Sequence, residues 1–304
     1  MISTKQIRYA LAVEEHMHFK KAADACAISQ SALSSGITDM EKQLGFQVFE
    51  RDTKKVLVTA LGQELLAKAR EVNLILQDIS ALNLKSSQPL DASIRVGMIP
   101  TIAPFLLPKI LPFLQERYPQ LELIIEEDQS HKLCQAVWQG HLDTAILALP
   151  YDCEGLLTLK FWQENFYLVS HRDDFNNEST KLSAKDIDLS KLMLLKEGHC
   201  LKDQALAVCG LKTESSYQVR GTSLETIIQL VRGRLGTTLV PEIALEQLVS
   251  VHDELRLSEL QEPGPHRELA FVLRPNYPGL EHLQLLSEVI KSTLGGNSGS
   301  NSSM

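Results

Sequence analysis

Residues 20–59 read KKAADACAISQSALSSGITDMEKQLGFQVFERDTKKVLVT. Positions 20–27 have helical spacing, Ser29 is a good N-cap, and the stretch from Ser31 starts a second helix that ends near Gly45. Two helices joined by so short a turn form a helix-turn-helix. The residues that follow give a short strand, a basic tip at Arg51–Lys55 and a second strand, VLVT: a wing. Upstream, residues 5–14 (KQIRYALAVE) supply another helix. On spacing alone a generic three-helix bundle fits as well. In a DNA-binding reading, Gln30, Ser31 and Ser34 open the recognition helix, where side chains meet base edges. Arg51, Lys54 and Lys55 suit phosphate or minor-groove contact.

Outward from this stretch, residues 61–85 hold an unbroken helical pattern. Leu65, Ala69, Val72, Leu76, Ile79 and Asn83 alternate in steps of four and three, as in a coiled-coil seam. The helix would be about 37 Å long and would join two subunits. SSQPLDAS then marks a boundary. Beyond residue 92 the order is SIRVGMI (strand), PFLLPKILPFLQERY (helix), LELIIEE (strand), HKLCQAVWQG (helix) and TAILAL (strand), which argues for a parallel sheet. A second such set runs from FYLVSH through MLLKEG, YQVRG and SLETIIQLVRG to TTLVP. ELAFVLR and a last helix close the fold. Two α/β lobes imply a cleft at strand C-termini where ligands bind. The fold class is α/β: a winged helix-turn-helix (1–60), a linker and dimerisation helix (61–88), and a two-lobed α/β domain. Lobe I takes residues 89–162 and 268–294, lobe II takes 163–267, and the low-complexity tail 295–304 is expected to be disordered.

Composition narrows the function. The chain has 304 residues and a net charge of −8. The first 60 residues carry eight Lys and Arg against seven Asp and Glu, net +1, which leaves −9 for the rest. DNA binding must therefore come from local patches, Lys20–Lys21 and Arg51–Lys55, and not from a global field. Neither a signal peptide nor a membrane-length apolar run is evident, so a cytoplasmic location is expected. Five cysteines, an odd number without a CxxC, argue against a zinc site or a closed disulfide framework. In a reducing compartment their default is free thiols. Cys26, Cys134 and Cys153 are expected to be inert. No cofactor or metal is called for.

Cys200 and Cys209 raise a different question. They bracket a helix-forming stretch, GHCLKDQALAVCG, that on the helical reading would hold them about 13 Å apart, too far to bond. Cys200 follows His199 at the start of that helix. A helix N-terminus lowers a thiol's pKa, and neighbouring cations, here His199 and Lys202, lower it further. A thiolate there can be oxidised, and a second thiol can then close a disulfide; an inert buried pair is the alternative. Asp203 in the same turn would oppose the thiolate if it faced it, and could instead orient a donor. Thr101, following a strand and Pro100, could offer a hydroxyl and N–H groups to a small polar ligand.

The order of these parts resembles the LysR-type transcriptional regulators, which implies that the two lobes form a periplasmic-binding-protein-like regulatory domain. The residues that carry the likeness are Phe19-Lys-Lys-Ala-Ala-Asp, Ser29-Gln-Ser-Ala-Leu-Ser, Ile37, Glu41, Leu44-Gly45, Phe49-Glu50-Arg51 and Thr59-Ala-Leu-Gly62. Within the family the chain is similar to the peroxide-sensing members, through Gly97-Met-Ile-Pro-Thr-Ile-Ala-Pro-Phe-Leu-Leu-Pro108, Gly198-His-Cys-Leu-Lys-Asp-Gln-Ala205 with Cys209 following, and Thr222-Ser-Leu-Glu-Thr226. The resemblance implies that Cys200 is the peroxidatic cysteine and Cys209 its resolving partner. It places Thr101, Ser130, His199, Lys202, Asp203 and Arg267 around hydrogen peroxide. It further implies a homotetramer, a dimer of dimers, on promoter DNA, acting as an activator through RNA polymerase and reset by a disulfide reductant such as glutaredoxin or thioredoxin. Three departures stand out: Ser130 replaces the usual Thr, Lys202 replaces the usual Arg, and Gly36-Ile-Thr-Asp-Met-Glu is less basic than usual. The competing expectations are a regulator that senses a small metabolite in the cleft and a thiol peroxidase; the missing recycling CxxC counts against the latter.

Overall fold

The computed structural model describes residues 1–51, 55–80, 90–174, 180–195, 201, 204–205, 207 and 223–296. The chain divides into two compact units, residues 1–83 and 84–304.

In the first unit, α1 (Thr4–His16) starts at a capping box in which Ser3 and Gln6 satisfy each other's backbone N–H groups. The next helix, α2 (Phe19–Ala25), is capped by His18. The recognition helix α3 (Gln30–Leu44) is capped by the Ser29 hydroxyl, which accepts from the Ala32 amide, and it ends at Gly45 in the left-handed region. Its apolar face, Leu33, Ile37 and Met40, is buried with Ala10, Val13, Ala22 and Ala23, each large side chain contributing about 1.5–3 kcal/mol. Gly36 lets α1 approach: a Cβ there would lie 2.9 Å from the Tyr9 ring. The wing forms as expected from β1 (Phe49–Arg51) and β2 (Val56–Val58), antiparallel with Phe49 opposite Val58.

The long helix α4 (Ala60–Ser80) divides its apolar residues between two tasks. Leu66 and Ala69 are buried in the unit's own packing, and Arg70 pairs with Glu14 of α1 at 2.6 Å. Leu61, Val72, Ile75 and Ile79 remain exposed. Of the expected seam, Val72 and Ile79 are exposed, whereas Ala69 is buried within the unit, where α4 packs on α1.

The second unit contains β3 (Ser93–Met98), α5 (Ala103–Arg117), β4 (Glu122–Glu127), α6 (Ser130–Gln139), β5 (Thr144–Leu149), β6 (Leu157–Glu164), β7 (Phe166–His171), β8 (Lys181–Leu182), α7 (Leu224–Arg232), β9 (Thr238–Pro241), α8 (Glu242–Leu248), β10 (Leu255–Leu260), β11 (Arg267–Leu273) and α9 (Leu280–Gly296). One sheet has the order β4-β3-β5-β11-β6. Its first three strands are parallel, as the β-α-β-α-β pattern predicts, and β11 joins β5 and β6 antiparallel.

The second sheet, β8-β10-β7-β9, corrects the expectation of another parallel set. Among the described strands, β7 is antiparallel to both β9 and β10, and only β10–β8 and the single bridge Leu192–Thr237 are parallel. The strand that differs is β7, which follows β6 directly, without a crossover helix, and runs against both of its neighbours; the expected strand YQVRG lies outside the described residues. The chain crosses between the sheets where β6 runs into β7 and where β10 leads to β11. Arg267 and Glu164 are register partners at that crossing. No helix among the described residues is long and apolar enough to cross a membrane.

Candidate functional site

In the first unit, Gln30 and Ser31 stand exposed on the first turn of α3, and Ser34, half-buried, lies one turn on. The hydroxyls of Ser29 and Ser31 are 3.0 Å apart. Lys55 is exposed beside β2. Lys54 lies outside the described residues, as does the side chain of Arg51. The geometry that presents the wing depends on two residues to which sequence reading gave no role beyond the resemblance. Glu41, near the end of α3, accepts from the Val48 and Phe49 amides at 2.8 and 3.1 Å, holding the chain as it enters β1. Thr59 donates to the Gln47 carbonyl at 2.7 Å and accepts from the Gly62 amide at 2.9 Å, closing the wing onto α4.

In the second unit, three predicted site residues are buried polar groups: Thr101, Ser130 and Arg267. Thr101 follows β3 and Ser130 follows β4, so both stand beyond the C-terminal ends of adjacent parallel strands, where ligands gather in such sheets. Arg267 opens β11. Its Nε donates to Glu164 Oε1 at 2.7 Å, both side chains being fully buried. Its Nη1 donates to the Thr101 hydroxyl at 3.2 Å and its Nη2 to the Thr101 carbonyl at 3.3 Å. Glu164 Oε2 accepts from the Ile243 amide at 2.8 Å. The guanidinium lies over the Phe166 ring, 5.8 Å from its centroid. Burying one charge is compensated here by the other, with every carboxylate oxygen bonded. The Thr101 hydroxyl accepts from Arg267, so its own hydrogen is left to point at an acceptor; none takes it among the described residues.

His266 fixes the entry to β11. Its Nδ1 accepts from the Phe166 amide at 2.8 Å, which leaves Nε2 to donate to the Glu262 carbonyl at 3.2 Å. Beside these residues opens a cleft of 640 Å³ lined by Leu149–Asp152, Lys160, His266, Arg267 and Glu268. Lys160 and Gln163 both donate to the Glu268 carboxylate, and the Lys160 bond foremost holds its pKa below the usual carboxylate range.

His199, Cys200, Lys202, Asp203 and Cys209 lie outside the described residues. The positions between them that are described are helical: Leu201, Gln204, Ala205 and Ala207. Leu201 and Ala205 are buried in the main core. Gln204 is buried and donates through Nε2 to the Ala148 carbonyl of β5 at 3.0 Å. Its Oε1 has no partner among the described residues. A second cavity, of 350 Å³, opens between Gln204, Ala207, Pro150 and the 262–266 turn.

The expectation that Cys134 and Cys153 are unpaired, inert thiols is overturned. The structure joins them in a disulfide across 19 residues, with Cα atoms 5.8 Å apart. The cause is tertiary: α6 packs on the loop that follows β5, a contact between segments that show no pattern linking them. Cys26 is a free thiol, as expected, and burial foremost pushes its pKa up. Glu164 was also missed. A single carboxylate ending FWQE resembles any strand terminus, and only its pairing with Arg267 gives it meaning.

Comparison with known proteins gives a consistent picture. Residues 4–63 match the bacterial regulatory helix-turn-helix protein, lysR family, and residues 87–295 match the LysR substrate binding domain. The chain is 36% identical to the HTH-type transcriptional regulator EstR of Acinetobacter baylyi, over 95% of this chain and 96% of that protein. It is 33% identical to the hydrogen peroxide-inducible genes activator of Dickeya chrysanthemi, over 95% of each. Among solved structures it resembles full-length OxyR from Pseudomonas aeruginosa, with a TM-score of 0.78 and 31% identity over 96% of this chain and 95% of that one.

Proposed function

The chain belongs to the lysR family of bacterial helix-turn-helix regulators, and we propose that it is a transcriptional activator that binds promoter DNA and senses hydrogen peroxide. The observation that carries this reading is the buried Arg267–Thr101 pair. A guanidinium neutralised by Glu164 fixes a hydroxyl beyond the end of a parallel strand. Such a group suits a small neutral ligand with both donors and acceptors, and a peroxide oxygen can accept from the Thr101 hydroxyl.

The thiol chemistry falls to Cys200. As a thiolate it attacks one peroxide oxygen, the O–O bond breaks, and the other oxygen leaves as hydroxide and takes a proton to become water. Cys200 is then a sulfenic acid. The Cys209 thiolate attacks that sulfur and displaces a second hydroxide, forming the Cys200–Cys209 disulfide. His199 and Lys202 favour the thiolate, Asp203 orients a donor, and Ser130 supplies a further hydroxyl. Closing a loop of about ten residues is worth roughly 2.7 kcal/mol on the chain-entropy model. That is comparable with withdrawing Leu201 and Ala205 from the core, at about 1.5–3 kcal/mol for a leucine, so the reduced and oxidised arrangements lie near balance. A glutaredoxin- or thioredoxin-type reductant returns the dithiol.

On DNA, Gln30, Ser31 and Ser34 read base edges, and Arg51, Lys54 and Lys55 meet the backbone. The exposed stripe Leu61, Val72, Ile75 and Ile79 supports pairing of subunits through α4, and two such dimers make the tetramer that spans an extended operator. Oxidation changes the spacing of the winged units and so the contact with RNA polymerase. The regulator acts in the cytoplasm, where thiols are kept reduced until peroxide arrives.

The test is a footprint on promoter DNA with reduced and peroxide-treated protein. Wild type shifts its footprint on oxidation and Cys200→Ser does not. An unchanged response in Cys200→Ser sinks the reading. A metabolite-responsive regulator is the second reading, favoured by the 640 Å³ cleft beside Arg267; it predicts that Cys200→Ser keeps full regulation.

A further inference from the structure

Cys134 lies on α6, one turn after Ser130 and therefore on the same face of the helix. It is half-buried at the edge of the core, whereas Leu133 and Val137 beside it are fully buried and carry that core. Cys153 sits in the loop between β5 and β6, where the Leu156 amide donates to its carbonyl at 3.0 Å. One turn beyond Cys134, Trp138 packs on the same loop: a Cβ on Gly155 would meet its ring at 3.1 Å. The beginning of this loop, from Pro150 to Asp152, forms one wall of the cleft that Arg267 lines.

We propose that Cys134 and Cys153 are a second, reversible dithiol–disulfide couple, which hydrogen peroxide closes and a dithiol reopens, and which ties the helix begun by Ser130 to the wall of the cleft. The Cα separation of the pair, 5.8 Å, falls in the range of real disulfides. Cys134, the more accessible thiol, is the one that attacks peroxide. The O–O bond breaks, one oxygen stays on sulfur as sulfenic acid and the other departs as water. Cys153 then displaces the sulfenic oxygen as a second water. Two thiols and one peroxide give one disulfide and two waters. Cys153 is buried in the core and Cys134 is half-buried at its edge, so a reductant reaches the bond through the Cys134 sulfur, the more accessible of the two.

The function follows from what the bond connects. With it closed, α6 and the cleft wall move as one body. With it open, that covalent tie is lost while the packing of Trp138 at Gly155 remains. The couple is thereby a second oxidation state of the sensing unit, independent of the Cys200–Cys209 chemistry.

The experiment uses the full chain carrying Cys200→Ser and Cys209→Ser, so that its outcome does not depend on the proposed peroxide switch. The protein is reduced with dithiothreitol, freed of reductant, exposed to hydrogen peroxide, blocked with N-ethylmaleimide and digested for mass spectrometry. The expected result is that Cys134 and Cys153 are alkylated before peroxide, cross-linked to each other after it, and alkylated again after dithiothreitol. Hydrogen exchange in residues 130–139 and 150–156 slows in the cross-linked form. Two thiols that stay alkylated after peroxide overturn the proposal. So does a cross-link that native dithiothreitol never opens, or one that leaves exchange unchanged. If the double variant does not fold, the wild-type digest supplies the same peptides, since Cys134 and Cys153 are read separately from Cys200 and Cys209.

Discussion

Glu164→Gln changes one oxygen to an amide nitrogen and should cost far more than that suggests. In the native protein both carboxylate oxygens accept: Oε1 from Arg267 Nε at 2.7 Å and Oε2 from the Ile243 amide at 2.8 Å. Glutamine has one acceptor oxygen, so its NH2 must face one of these donors. The guanidinium, fully buried, also loses its counter-charge. Leaving a buried charge uncompensated costs about 3–5 kcal/mol. For a unit the size of residues 84–304, at about 2–4 °C per kcal/mol, the unfolding midpoint of its transition should fall by roughly 6–20 °C. Urea unfolding followed by fluorescence measures the cost, and Glu164→Gln/Arg267→Met should recover most of it, because the charge is then gone as well. A single variant within about 1 kcal/mol of wild type would refute the reasoning, since such a loss is ordinary for any substitution. So would a double variant no better than the single one.

Other perturbations test other parts. Gly62→Ala places a Cβ 2.3 Å from the Val48 carbonyl oxygen; backbone must shift, and thermal unfolding of the first unit should show a loss of about 1–3 kcal/mol. Lys55→Ala should weaken binding alike on all DNA sequences and lower the salt slope by about 0.9 for each phosphate contact removed. Gln30→Ala should instead weaken binding selectively at its operator, by about 1–3 kcal/mol if it makes a bidentate base contact. An unchanged salt slope counts against the wing assignment. Glu268, with a pKa lowered chiefly by Lys160, contributes stability that is present above the unfolded carboxylate pKa and lost as pH falls through the folded one. The midpoint difference between wild type and Glu268→Gln should therefore shrink below about pH 4; a difference that grows in acid contradicts it.

The winged unit was legible because its signals are local. Ser29 caps, Gly45 terminates, and Leu33, Ile37 and Met40 repeat at helical spacing within a single element. The parallel half of the regulatory unit was legible for the same reason, since each crossover helix lies between the strands it connects. What could not be read depends on partners far apart in the chain. The Arg267–Glu164 bond spans 103 residues, and the Cys134–Cys153 bond joins a helix to a loop of no fixed pattern. The antiparallel second sheet was missed because the direction of β7 is set by its neighbours β9 and β10, which lie about 70 or more residues further along the chain. The position of the apolar stripe on α4 likewise depends on which turns α1 covers.

A peroxide sensor of this kind requires that Cys200 and Cys209 respond to peroxide as a pair. The direct measurement is their thiol state in the reduced full-length protein after brief exposure to peroxide in the micromolar range, by alkylation and mass spectrometry, at the dose that shifts the DNA footprint. The expected result is a peptide linked through Cys200 and Cys209, and in Cys209→Ser a sulfenic acid on Cys200 that a dimedone-type probe labels. Both thiols remaining alkylatable at a dose that shifts the footprint would contradict it.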